Sequence, residues 1–92
     1  MTVSEIQVPA PLRPATLGAI SVRATGGTVG LALRDFARRD GTVNAYLFTS
    51  EGRLRRSVAV FVNGVDVRNL DGEDTTVRDG DILSIVPALS GG

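Results

Sequence analysis

Ala19-Ile20-Ser21-Val22-Arg23-Ala24, then Thr25-Gly26-Gly27-Thr28, then Val29-Gly30-Leu31-Ala32-Leu33-Arg34-Asp35-Phe36-Ala37-Arg38-Arg39 is the stretch on which the fold turns. Its first part alternates apolar and polar residues, with Ile20 and Val22 on one face, as a half-buried strand does. Its last part sets Val29, Leu33 and Phe36 at i, i+4 and i+7, with Ala32 and Ala37 beside them, which is one buried face of a helix. The Gly-Gly pair breaks the strand, and Thr28 supplies a hydroxyl able to cap the first turn. Arg38 and Arg39 suit the helix C-terminus, and Asp40-Gly41 reads as the stop.

Working outward, Glu5-Ile6-Gln7-Val8 alternates in the same way, and Pro9 closes that pairing because it lacks an N–H. The Pro-spaced piece from Pro9 to Pro14 reads as a loop, so the first two strands form a hairpin. Downstream, Val43, Tyr46, Leu47 and Phe48 fit either a turn of helix or a short extended piece, and residues 42–56 stay open. Ser57 to Val62 is a strand. Asn63-Gly64 is a strong hairpin signal, and Val65-Asp66-Val67 is the returning partner. Asp71 to Asp74 reads as a loop, Asp79-Gly80-Asp81 as a tight turn, Ile82 to Val86 as the final strand, and Pro87 as its stop.

Strand, strand, helix, strand, short strand, strand is the order of the β-grasp, or ubiquitin-like, fold. The expected architecture is α+β, with a mixed four- to five-stranded sheet, one main helix on one face, and the two terminal strands parallel in the middle. The expected division is a β-grasp domain over residues 1–87 and a flexible tail over 88–92.

The inventory of reactive side chains is sparse. The chain has 92 residues with no His and no Cys, and all ten of its cations are Arg. That excludes thiolate metal sites, disulfides, Ser–His and Cys–His pairs, and Schiff-base lysines. A net charge of zero gives no electrostatic reason to expect nucleic acid or an anionic membrane. The longest apolar run, Val58 to Val62, is too short for a membrane span, and the first residues lack a signal-peptide layout. These features predict a cytoplasmic protein that is not itself an enzyme, with no metal site and no catalytic side chain.

One group remains: the terminal carboxylate of Gly91-Gly92. At an average glycine usage of about 7%, two terminal glycines coincide by chance in roughly 0.5% of chains. The five residues Ala88, Leu89, Ser90, Gly91 and Gly92 reach about 17 Å when extended, and the last two carry no side chain, so they can thread a narrow channel. Leu89 is either an anchor in a partner's groove or a solvated residue. A carboxylate delivered to the α-phosphate of ATP becomes an acyl-adenylate, which a sulfur nucleophile can convert to a thiocarboxylate.

With these residues in hand, the sequence resembles the ThiS/MoaD-type sulfur carriers, ubiquitin-like proteins that end in Gly-Gly. The resemblance rests on Val60-Phe61-Val62-Asn63-Gly64, Asp66-Val67-Arg68, Thr76-Val77, Asp79-Gly80-Asp81, Ile85-Val86-Pro87-Ala88 and Gly91-Gly92. Val8-Pro9, Leu12-Arg13-Pro14 and Thr16 are similar to the actinobacterial, CysO-like branch that serves cysteine biosynthesis. The resemblance implies a cycle run by partners. An adenylyltransferase with sulfurtransferase function activates Gly92 with ATP. A pyridoxal-phosphate-dependent cysteine synthase, or a thiosugar synthase, accepts the sulfur, and a zinc peptidase releases the cysteine adduct. All of these cofactors belong to the partners, and none is assigned to this chain. Alternatives are a MoaD-type subunit of molybdopterin synthase, a ubiquitin-like modifier of lysines, and a plain binding module.

A carrier needs a docking surface. Alternation along Ser57 to Val62 turns Val58, Val60 and Val62 toward the helix and Ala59 and Phe61 to the open face. In the last strand Leu83 and Ile85 point inward, with Ser84 and Val86 outward. The expected patch is Ala59, Phe61 and Val86. A register shifted by one residue would invert each assignment. Arg53, Arg55 and Arg56 read as a solvated loop face, Asp71, Glu73 and Asp74 as turn chemistry rather than a calcium loop, and Gly26-Gly27 as a strand-to-helix turn rather than a phosphate cradle.

Overall fold

The computed structural model describes residues 1–87. Five strands form one mixed sheet: β1 (Val3–Gln7), β2 (Ser21–Thr25), β3 (Val58–Val62), β4 (Val65–Asp66) and β5 (Ile82–Pro87), in the order β2-β1-β5-β3-β4. β1 and β5 run parallel at the centre, with Glu5 beside Ile82 and Gln7 beside Ser84, and every other pairing is antiparallel. Two helices, α1 (Val29–Ala37) and α2 (Gly41–Leu47), follow β2. No helix among the described residues is long and apolar enough to cross a membrane.

The stripe read from the sequence is the core. Val29, Leu33 and Phe36 of α1 are fully buried with Ile6, Val60, Leu83 and Ile85 of the sheet. Each such large side chain contributes about 1.5–3 kcal/mol through removal from water. Thr28 caps α1, its hydroxyl accepting from the Leu31 N–H at 3.2 Å. The Gly26-Gly27 turn brings the chain close under the helix: a Cβ at Gly26 would lie 2.5 Å from the Ala32 nitrogen. The Asn63-Gly64 hairpin turn has positive φ at both residues, 49° and 87°, which suits Asn-Gly and gives the strand-matching twist of a two-residue hairpin.

Five local expectations change. α1 does stop before Asp40, but Asp40-Gly41 also begins a second helix that was not expected there. The Asp40 carboxylate accepts from the Thr42 N–H at 2.7 Å and caps α2, which buries Val43 and Leu47. The same short acceptor that suits a turn also suits a helix start. The Pro-spaced piece is not a plain loop: Ala10–Thr16 forms a 3-10 helix whose Leu12 enters the core. Ile20 does not share a buried face with Val22. The chain turns through Leu17 and Gly18, both at positive φ, β2 begins only at Ser21, and Ile20 is left 69% exposed. Pro87 is the last residue of β5 rather than a stop before it, and it stands opposite Val58. The return strand is also shorter than read, because Val67 opens a 3-10 turn instead of extending β4.

Arg34 ties the helical layer to the loops. Its guanidinium pairs with Glu73 at 2.8 Å, donates to the Gly52 carbonyl at 2.9 Å, and lies 4.9 Å from the centre of the Phe48 ring. Glu73 therefore serves an ion pair, and its second carboxylate oxygen also accepts from the Leu54 N–H. Arg53, Arg55 and Arg56 are exposed, with Arg55 donating to the Ala45 carbonyl at 2.8 Å.

Candidate functional site at the open sheet face and the end of β5

The face of the sheet turned away from α1 is built by the alternation of β3 and β5. Val58, Val60 and Val62 join the core, so Ala59 and Phe61 look the other way. On β5, Leu83 and Ile85 are buried, and Ile82, Ser84 and Val86 occupy the open face. The ladder sets Ala59 across from Val86 and Phe61 across from Ser84. Ser84 donates its hydroxyl proton to Gln7 Oε1 at 2.9 Å, linking the centre of this face to β1.

Of the three expected patch residues, Val86 is 40% exposed and Phe61 is half-buried. Ala59 is corrected: it retains only 6% of its surface, because its methyl is shorter than Phe61 two residues along and Val86 across the ladder. The apolar surface exposed on this face therefore comes from Phe61, Val86 and Ile82, which is 36% exposed. Ile82 went unremarked in the sequence, although two steps back from Ser84 on the same strand was signal enough.

The far side of Phe61 is charged. Asp66 lies across the ladder from it and is bound by Arg68 at 2.7 Å. The Arg68 side chain and backbone N–H hold the Asp66 carboxyl below its ordinary value, and Asp66 in turn raises Arg68.

The Asp79-Gly80-Asp81 turn sits at the opposite end of β5 from Pro87. Asp79 accepts from the Val3 N–H at 2.8 Å. Asp81 accepts from the Arg78 N–H at 2.9 Å and from Asn63 Nδ2 at 3.0 Å, and these two bonds, the backbone one first, lower its carboxyl. Asn63 Oδ1 accepts from the Ile82 N–H. These motif residues fasten the starts of β1 and β5 to the hairpin, so their role is structural.

At the Pro87 end, a groove of about 590 Å³ opens between the end of β5 and the segment after β1. Pro9, Pro11, Arg13, Ile20, Val86 and Pro87 are among the residues that line it. Sequence reasoning missed this groove, since its lining comes from the segment after β1, from Ile20 and from β5, which are far apart in sequence. Ala88, Leu89, Ser90, Gly91 and Gly92, the expected working end, lie outside the described residues.

The profile of the ThiS family matches residues 6–92. The chain belongs to the ThiS family. Within this family it is 38% identical over 89 residues to the sulfur carrier protein CysO of Mycobacterium tuberculosis, covering 95% of this chain and 96% of the relative. Its fold superposes with a TM-score of 0.83 on a chain from the crystal structure of the Amycolatopsis orientalis BexX/CysO complex, at 39% identity and over 97% of this chain and 99% of that one. The small archaeal modifier protein 1 of Methanosarcina acetivorans superposes at 0.88, with 26% identity, over 100% and 98% of the two chains. The ThiS-family match and these neighbours bear out the β-grasp, ubiquitin-like fold and the CysO-like resemblance.

Proposed function

We propose that this protein is a sulfur carrier whose reactive group is the carboxylate of Gly92. A carboxylate oxygen attacks the α-phosphorus of ATP in a partner's active site, and pyrophosphate leaves. A sulfide nucleophile then attacks the carbonyl carbon of the acyl-adenylate, AMP departs with the oxygen, and a thiocarboxylate remains. The protein is the cosubstrate, and the partners do the catalysis.

The observation that carries this reading is the course of β5. Leu83 and Ile85 anchor the strand in the core, its last residue is paired opposite Val58, and the sequence continues only five residues beyond to Gly91-Gly92. A firmly held strand leading into a short tail with a side-chain-free end suits delivery of a carboxylate into a narrow site. The 38% identity to a protein named a sulfur carrier supports the same reading. The CysO likeness favours an activated serine as sulfur acceptor, giving cysteine, with a pyridoxal-phosphate synthase as the accepting partner and a zinc peptidase releasing the adduct. The likeness to a chain crystallised in the BexX/CysO complex supports docking to a protein partner.

ATP–pyrophosphate exchange with the adenylating enzyme of the same organism tests the reading. The full chain supports exchange, and the chain lacking Gly92 does not. A second reading, attachment to lysines of other proteins, is favoured by the likeness to small archaeal modifier protein 1. It predicts Gly-Gly remnants on digested target lysines.

A further inference from the structure

A β-sheet ends in two strands whose outer N–H and C=O groups face no neighbouring strand, and each is a template on which another chain can pair. In this sheet the outer strands are β2 and β4. β4 is two residues long, too short to hold an incoming strand. β2 is five residues long, and its bonds to β1 show what its other edge presents. The Val8 N–H donates to the Ile20 carbonyl and the Gly26 N–H to the Thr2 carbonyl, so even-numbered residues turn their backbone groups to β1. Ser21, Arg23 and Thr25 therefore turn theirs outward. α1 closes two of these groups. The Thr25 N–H donates to Asp35 Oδ2 at 2.9 Å, and Arg39 Nη2 donates to the Arg23 carbonyl. Both closing side chains are themselves held, Asp35 by Arg38 at 2.7 Å and the Arg39 guanidinium at 6.0 Å from the centre of the Phe36 ring.

We propose that β2 is a pairing edge for a second copy of this chain, kept closed by Asp35 and Arg39 of α1. Self-complementarity selects this occupant. Two copies of β2 set antiparallel about a two-fold axis at Arg23 place Val22 against Ala24 on one face and Ser21 against Thr25 on the other. Both are pairs that a sheet accommodates. Arg23 meets its own copy, and like charges directly opposite each other work against the pairing. Arg23 is thus a third obstacle to the same arrangement. The closed edge keeps the protein a single chain, a role independent of Gly92 and of sulfur carriage.

The test is the mass in solution of the full chain and two triple variants, by size exclusion with light scattering across a concentration series. Arg23→Thr/Asp35→Ala/Arg39→Ala removes all three obstacles, and its mass rises from one chain to two with concentration. Arg23→Pro/Asp35→Ala/Arg39→Ala removes the same charges and also the outward N–H at position 23, a loss that an edge strand tolerates, and it stays at one chain. The parent stays at one chain throughout. A threonine variant that melts cooperatively and stays at one chain overturns the proposal, as does pairing by the proline variant or by the parent. Amide exchange on the parent gives a reading that needs no variant to fold. Relative to their rates in the unfolded chain, the Thr25 amide is protected about tenfold or more over that of Arg23, because its outward N–H is bonded to a carboxylate. Equal protection at the two positions overturns the closed edge.

Discussion

Val58 and Pro87 face each other across the β3–β5 ladder, so β5 is paired with β3 as far as the last described residue. The first residue of β3 therefore sits beside the last described residue of β5. Pro87 fits there because a strand terminus does not require its missing N–H as a ladder donor.

On the open face, Phe61→Ser and Val86→Ser each weaken capture of the carrier by its adenylating enzyme. The expected change is about a fivefold to tenfold rise in KM with little change in kcat, read from initial rates of pyrophosphate release. Ala59→Ser has a smaller effect, because Ala59 offers almost no surface to a partner. Equal effects at Ala59 and Phe61 would contradict this division of the patch.

The two neighbouring glycines before α1 respond differently to alanine. A Cβ at Gly26 meets the backbone nitrogen of Ala32 at 2.5 Å and the carbonyl carbon of Leu31 at 2.7 Å, and backbone cannot move aside as a side-chain tip can. Gly26→Ala therefore costs about 1–3 kcal/mol in urea unfolding. At Gly27 the same methyl meets nothing within 4 Å, so Gly27→Ala stays within about 0.5 kcal/mol of the parent.

Asp35 couples stability to acid. The Thr25 N–H donates to it at 2.9 Å and Arg38 pairs with it at 2.7 Å, and together they hold its carboxyl below the ordinary 3.8. A carboxyl depressed in the folded state binds protons less readily there than in the unfolded chain. Its contribution is therefore complete above the ordinary value and is lost as the pH falls through the lower, folded one. Asp35→Asn lowers stability at neutral pH, and the difference from the parent shrinks toward zero on acidification. Denaturant midpoints of the two proteins measured across that range check the sign, and a gap that widens in acid would contradict it.

The helix α1, the Asn63-Gly64 hairpin and the inward valines were legible because each carries a local signature that tertiary structure did not override: a helical stripe, a turn needing positive φ, and strict alternation. The second helix was not legible. Asp40 serves a helix start with the same carboxylate that serves a turn, and seven residues with only Val43 and Leu47 buried give too little periodicity to separate helix from extended chain. The 3-10 helix was hidden by its prolines, which read as loop, and its one core residue, Leu12, has no periodic neighbour to announce it. The groove was invisible for a further reason: Pro9, Ile20 and Val86 are far apart in sequence, and only the β1–β5 pairing brings them together. The open-face assignment depended on register alone, and once the ladder set Ala59 opposite Val86 only side-chain size separated Ala59 from its exposed neighbours.

The central claim is that Gly92 is where sulfur is carried, and intact-mass spectrometry addresses it most directly. The full chain is incubated with its adenylating enzyme, ATP and a sulfide source, beside a chain lacking Gly92. The account predicts that the full chain gains the mass difference between sulfur and oxygen, localised to Gly92 by fragmentation, and that the shortened chain keeps its fold and its mass. An unchanged mass for the full chain while the enzyme turns over ATP, or the same gain on the chain without Gly92, would contradict it.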